Sequence, residues 1–235
     1  MALVKSRTPF DISGYVFIGL IGLVILGFWP SYFAKFFNGT ANFTFYFHFH
    51  AIALSLWILT LIAQPILIRK KKLAIHRFIG RLTYLLFPLI VISIILLAHS
   101  RITGNEKDLG LRLIVPFKDL VIIGAAYAIA IRYRRTVAIH ARGMIATGIV
   151  VIEPALSRLL INVSHNPALG YLMTILLVYS LLVALIIKER NEKQGRWVFP
   201  LILGLYMIAH SIILLQIRIG PWERFAKWFA ALPLT

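Results

Sequence analysis

Apolar runs of about twenty residues recur along this chain, and each is closed by a short polar or basic turn. At about 1.5 Å of helical rise per residue, runs of that length cross the hydrocarbon core of a bilayer. The first extends from Gly14 to Phe33 and is closed by Pro30 and Asn38-Gly39. It is too long for a signal-peptide core and lacks a small-residue cleavage site, so it reads as a retained span. The second covers Phe45 to Ile68, and the third covers Ile75 to Leu97 with Pro88 at mid-span. A polar loop from Ser100 to Arg112 precedes the fourth, Leu113 to Ile131, with Pro116 near its start. The fifth, Val137 to Val163, carries Glu153-Pro154; the sixth is Ala168 to Ile187 and the seventh Trp197 to Ile217. In the tail, Trp222, Phe225 and Phe229 stand at i, i+3 and i+7, the spacing of a short helix lying in the membrane interface. The pattern predicts an all-α polytopic membrane protein, a bundle of about seven transmembrane helices in a single domain, 1–235.

Composition narrows the class further. Apolar residues make up 60% of the chain, charged residues 14%, and the mean hydropathy is +0.86. A soluble fold has too few polar residues here to cover that much apolar surface. A net charge of +17 would suit a nucleic-acid partner, but the basic residues cluster in turns between apolar runs. That distribution is a topology signal and excludes nucleic acid. Lys5, Arg7, Arg69 to Lys72, Arg77, Arg81, Arg132, Arg134, Arg135, Arg142, Lys188, Arg190, Lys193 and Arg196 fall on one side. The other side receives half as many: Lys35, Arg101, Lys107, Arg112, Lys118, Arg218, Arg224 and Lys227. The N-terminus is therefore expected inside and the C-terminus outside, in a bacterial inner membrane. The absence of cysteine excludes disulfides, thiolate metal sites and covalently attached haem.

Ionisable residues within apolar runs are costly and normally face the bundle interior, so they are the candidate chemistry. Counting rise from the basic turns puts His76 and His140 near the inner boundary and His48, His50, His99 and His165 near the outer one. His210, Asp119, Glu153 and Arg158 fall in the outer half. His50, Trp57 and Gln64 recur at heptad spacing, which predicts one inward polar stripe on the second span. Glu153 precedes Pro154, where the helix loses a backbone donor. It is a candidate catalytic carboxylate with Arg158, or else a structural charge partner of Arg158 across the kink or of a group on another span. Asp119 beside Lys118, near the edge of its run, reads as a solvated pair.

The inner histidines have a different setting. His76-Arg77 is followed by Gly80-Arg81, and His140 by Arg142-Gly143. Neutral imidazole suits an axial position on haem iron, and Arg77, Arg81 and Arg142 suit propionates or an anionic substrate. The glycines permit close approach of a flat macrocycle or a neighbouring helix. The same basic ends would also meet lipid phosphates.

The run His76-Arg77-Phe-Ile-Gly80-Arg81 with Tyr84, followed by His140-Ala-Arg142-Gly-Met144 and by Arg158-Leu159, resembles the multi-pass membrane family catalogued as domain of unknown function 2306. The resemblance covers roughly Phe47 to Leu160 and implies no established chemistry. The inner pair is also similar to that of transmembrane two-haem cytochrome b proteins, which place histidine pairs near each membrane face. A second haem does not follow, because the fourth span has no histidine and His50 would need His99 or His210 as partner. The chain shares its inferred topology with seven-span zinc hydrolases and receptors, but only His210 stands where that group carries a paired motif. His50, Glu153 and His210 would then form an outer-half metal site.

The leading expectation is a redox protein binding haem b, quinone or both, with His76 and His140 as metal ligands and Arg77, Arg81, Arg142 and Trp57 around the cofactor. The alternatives are an accessory or assembly subunit of a larger membrane complex, a small-ligand transporter, and a metal-dependent membrane hydrolase using zinc at His50 and His210. A quinone or a membrane redox protein is the partner expected besides the bilayer.

Overall fold

The computed structural model of the protein describes residues 13–104 and 108–235; the basic leader up to residue 12, with Lys5 and Arg7, lies outside the described residues, as does Lys107. The described residues are helical throughout, with no strand. Helix α1 (Ser13–Phe28) runs through a π-helical turn, Trp29–Phe33, into the short α2 (Ala34–Phe37). Pro30 was expected to close this span. The wider π turn instead accommodates its missing donor, and the chain turns only at Gly39, with φ 66°. Then follow α3 (Phe45–Arg69), α4 (Leu73–His99), α5 (Leu109–Arg132), α6 (Val137–Ser164), α7 (Pro167–Lys188), α8 (Val198–Leu214) and α9 (Gly220–Ala230).

Among the described residues, six helical segments are long and apolar enough to cross a membrane: Ser13–Phe37, α3, α4, α5, α6 and α7. The architecture is that of an all-α, multi-pass membrane protein. The seventh expected run is shorter than its hydropathy implied. Gly195, at φ 79°, precedes it and Gln216, at φ 50°, follows it, so α8 keeps 17 residues.

Helix α6 is the hub, packed against α1, α3, α5, α7 and α8. Small residues on it allow this. A Cβ on Gly143 would lie 2.8 Å from the Ala130 Cβ and 2.9 Å from the Ala126 carbonyl of α5. The core around α6 holds Trp57, Ile90, Ile122, Ile149, Leu182, Phe199 and Ile202. The outward faces are apolar as well: Val16, Leu85 and Leu176 are all exposed. A helix apolar on every face belongs in lipid.

The tail corrects an expectation. Helix α9 does not turn its aromatic face to lipid, because that face is occupied by α5. The rings of Trp222, Phe225 and Phe229 surround Phe117 at 5.3, 5.3 and 5.4 Å, and Trp222 Nε1 donates to the Gly110 carbonyl at 2.8 Å. A Cβ on residue 110 would meet the Glu223 carboxylate, so glycine there lets that side chain lie against the first turn of α5.

Candidate functional site

Two polar assemblies interrupt the apolar bundle, and the deeper consequences of the fold lie in how they are separated. The first is a cavity of about 940 Å³ at the basic ends of α3, α4 and α6. His76, Arg77, Gly80, Arg81 and Tyr84 of α4 line it, with Gln64 of α3, His140 and Met144 of α6, and Arg134 from the turn before α6. Phe17, Leu61, Ile68 and Ile145 form its apolar walls. Among the described residues no carboxylate lines it, so the described lining is positive at its polar end and greasy elsewhere.

The imidazoles are prepared differently. His140 Nδ1 lies 2.9 Å from the Ala130 carbonyl. A carbonyl only accepts, so Nδ1 carries the proton and Nε2 of the neutral ring keeps a free lone pair. His76 Nδ1 is buried without a hydrogen-bond partner, as is Gln64 Oε1, whose amide donates from Nε2 to the His76 carbonyl at 3.2 Å. Such orphaned buried atoms are uncommon and point to a missing ligand or water. Gly80 faces the cavity with open space: the nearest atom to a Cβ there would be Gln64 Nε2 at 3.9 Å. Of the two expected uses of glycine, Gly80 supplies room for a ligand and Gly143 close helix approach.

Two residues grouped with this site in sequence lie elsewhere. Arg142 has no solvent exposure and points away, its Nε bonded to Glu189 Oε2 at 2.5 Å and its Nη1 to the Ala138 carbonyl at 2.9 Å. Trp57 is fully buried at the bundle centre, donating to Thr147 Oγ1 at 3.2 Å and packing beside the stacked Phe87 and Tyr127 rings. The polar stripe of α3 does point inward: His50 reaches Ser93 Oγ at 3.1 Å, Trp57 reaches α6 and Gln64 reaches α4.

The second assembly joins four helices. Lys118 of α5, only 5% exposed, donates to Asp119 Oδ1 at 2.6 Å and to Glu153 Oε1 of α6 at 2.7 Å. His210 Nε2 of α8 lies 3.2 Å from the same Oε1, and its Nδ1 lies 3.2 Å from the Tyr179 hydroxyl of α7. Of the two structural partners expected for Glu153, the group on another span is the one found, in Lys118 and His210, whereas Arg158 turns outward. It bonds the Pro154 carbonyl at 3.0 Å and stacks over Phe28 at 4.4 Å.

The solvated-pair reading of Lys118 and Asp119 is overturned by this burial. Helix α5 starts at Leu109 rather than Leu113, so Lys118 stands nine residues inside it, about 13 Å deep. Tyr171, Tyr179 and Tyr206 around His210, and Arg134 at the cavity, are further polar groups that the sequence reading did not place at a site, while Gln64 was read as part of an inward stripe but not joined to the inner histidines.

The three ligands of an outer metal site are not gathered. Glu153 and His210 meet, whereas His50 is engaged with Ser93, and among the described residues no group of three or more His, Asp or Glu is placed to hold a metal ion. No family model, curated protein or solved structure matches the chain.

Proposed function

We propose that this chain is an integral membrane redox protein that holds haem b, or a quinone in the same space, in the cavity between α3, α4 and α6. The carrying observation is that one cavity of about 940 Å³ is lined by two imidazoles and three arginines, with no carboxylate among the described residues that line it. Ligand cavities commonly run to about 300–1,000 Å³, and an amphiphile with anionic substituents matches a greasy pocket with a cationic mouth. The residues fit haem: His140 offers Nε2 and His76 an unpartnered ring nitrogen, while Arg77, Arg81 and Arg134 would take the propionates. Bound haem supplies one-electron transfer, its potential set by axial ligand and surroundings. The chain's own part is to fix the His140 tautomer through Ala130, keep the iron's neighbourhood apolar through Leu61 and Ile145, and balance charge through the arginines.

Arg142 and Trp57 leave this site: the first anchors α6 to Glu189, the second the core. The proposal includes seven membrane-embedded apolar helices, with α8 as the short seventh, the N-terminus inside and the C-terminus outside, in a bacterial inner membrane. The cavity then faces the cytoplasm, where a soluble or membrane redox partner would meet it. His76→Ala and His140→Ala should each lose the same haem, and His50→Ala should retain it, as read from haem-to-protein ratios after purification. Equal retention in all three variants contradicts the assignment. A colourless chain that co-purifies with a larger complex would support an accessory subunit instead.

A further inference from the structure

We propose that Glu153, His210 and Tyr179 form a proton-relay site, separate from the basic cavity, in which Glu153 is the exchangeable proton acceptor. Three observations carry it. First, the charges do not cancel: one ammonium, Lys118, faces two carboxylates, Asp119 and Glu153, in a buried setting. A neutral His210 leaves the directly bonded group one negative charge in excess, offset in part by Arg158, whose charge acts on Asp119 and not on Glu153. Binding one proton at Glu153 removes the excess. Second, the acceptor position is open. Glu153 Oε1 already receives Lys118 and His210, whereas Oε2 is buried with no hydrogen-bond partner. The buried Tyr206 hydroxyl stands within interacting distance of the Glu153 carboxylate, the buried Tyr171 hydroxyl makes no hydrogen bond, and both rings lie against His210, at 5.4 Å for Tyr206 and 5.9 Å for Tyr171. Third, the imidazole is held at both nitrogens, by a carboxylate on Nε2 and by a hydroxyl on Nδ1. A hydroxyl donates or accepts, so the ring keeps both bonds whether it is neutral or charged.

The step balances without a redox partner. The Tyr179 O–H gives its proton to His210 Nδ1 as a hydronium ion from solvent replaces it on the phenol oxygen and is left as water, and the imidazolium releases its Nε2 proton to the Glu153 carboxylate. The ring ends as the opposite tautomer, donating back to Tyr179, and one proton has moved from solvent to Glu153. The charged and titratable groups in contact with this cluster are Lys118 and Asp119 from α5, Tyr171 and Tyr179 from α7, and Tyr206 and His210 from α8. Among the described residues, α1 and α3 bring no ion pair or side-chain hydrogen bond to Glu153. Arg158, the next cation along α6, is directed to Phe28.

Infrared difference spectra between two pH values, taken on the full chain in lipid, test this directly. The expected result is a carboxylic C=O band that appears with proton uptake and shifts in D2O. Glu153→Gln should lose it, Asp119→Asn should keep it, and Tyr179→Phe should exchange it with D2O several-fold more slowly. A wild-type spectrum with no pH-dependent carboxylic band overturns the proposal. So does a band that survives Glu153→Gln and vanishes in Asp119→Asn. The wild-type measurement decides even if a variant fails to fold, and it is independent of haem content.

Discussion

Arg142 carries a full charge with no access to solvent, and Glu189 answers it through a 2.5 Å bond. Removing one partner of a buried pair strands the other, which costs about 3–5 kcal/mol, while replacing both by apolar residues of similar volume is often neutral. Glu189→Gln should therefore destabilise the bundle strongly in a detergent denaturation series, and Arg142→Met with Glu189→Leu should recover most of the loss. Recovery absent in the double variant would give Arg142 a role beyond anchoring α6. The sequence placed Arg142 beside His140 because the two are close along the chain. On the helix they are about 200° apart, and the guanidinium goes to Glu189 and the Ala138 carbonyl, away from His140. The stripe of His50, Trp57 and Gln64 was legible because its period belongs to α3 alone. Lys118 was not, since its depth depends on a helix start at Leu109 and on the approach of α6 and α8. Tyr171, Tyr179 and Tyr206 carry no sequence signal either, because tyrosine is also common at membrane boundaries.

Helix–helix distance separates the two inner glycines. At Gly143 an added Cβ meets backbone and Ala130 of α5 inside 3 Å, whereas at Gly80 it meets open cavity. Gly143→Val should destabilise by about 1–3 kcal/mol, the usual cost of overpacking, and loosen α5 from α6. Gly80→Ala should leave thermal stability near wild type. Melting curves of the two purified variants compare them, and equal losses would contradict the assigned packing. Helices α3 to α7 were legible to within a few residues because long apolar runs announce themselves. Helix α9 was read correctly as amphipathic, but periodicity names an apolar face without naming what covers it. Phe117 and Gly110 cover it here. Helix α8 was drawn too long because hydropathy does not register the positive φ at Gly195 and Gln216.

At the scale of the whole molecule, the uneven distribution of basic residues motivates the orientation, and the chain's lack of cysteine makes it simple to test. Single cysteines introduced at Lys71 and Lys193 should label only from the cytoplasmic side; labelling of Lys71→Cys from outside would invert the bundle and place the cavity on the other face. The bundle segregates its two polar sites. A cationic cavity lies at the ends of α3, α4 and α6, and a carboxylate–histidine cluster lies between α5, α6, α7 and α8. The central claim is that the first of these holds a redox cofactor. It is tested most directly by the absorption spectrum of the protein, purified from cells supplied with ample haem and reduced with dithionite. Two imidazoles on one haem iron predict sharp reduced α and Soret bands, both lost in His76→Ala and in His140→Ala. A spectrum with no visible bands in the intact, folded protein would contradict it.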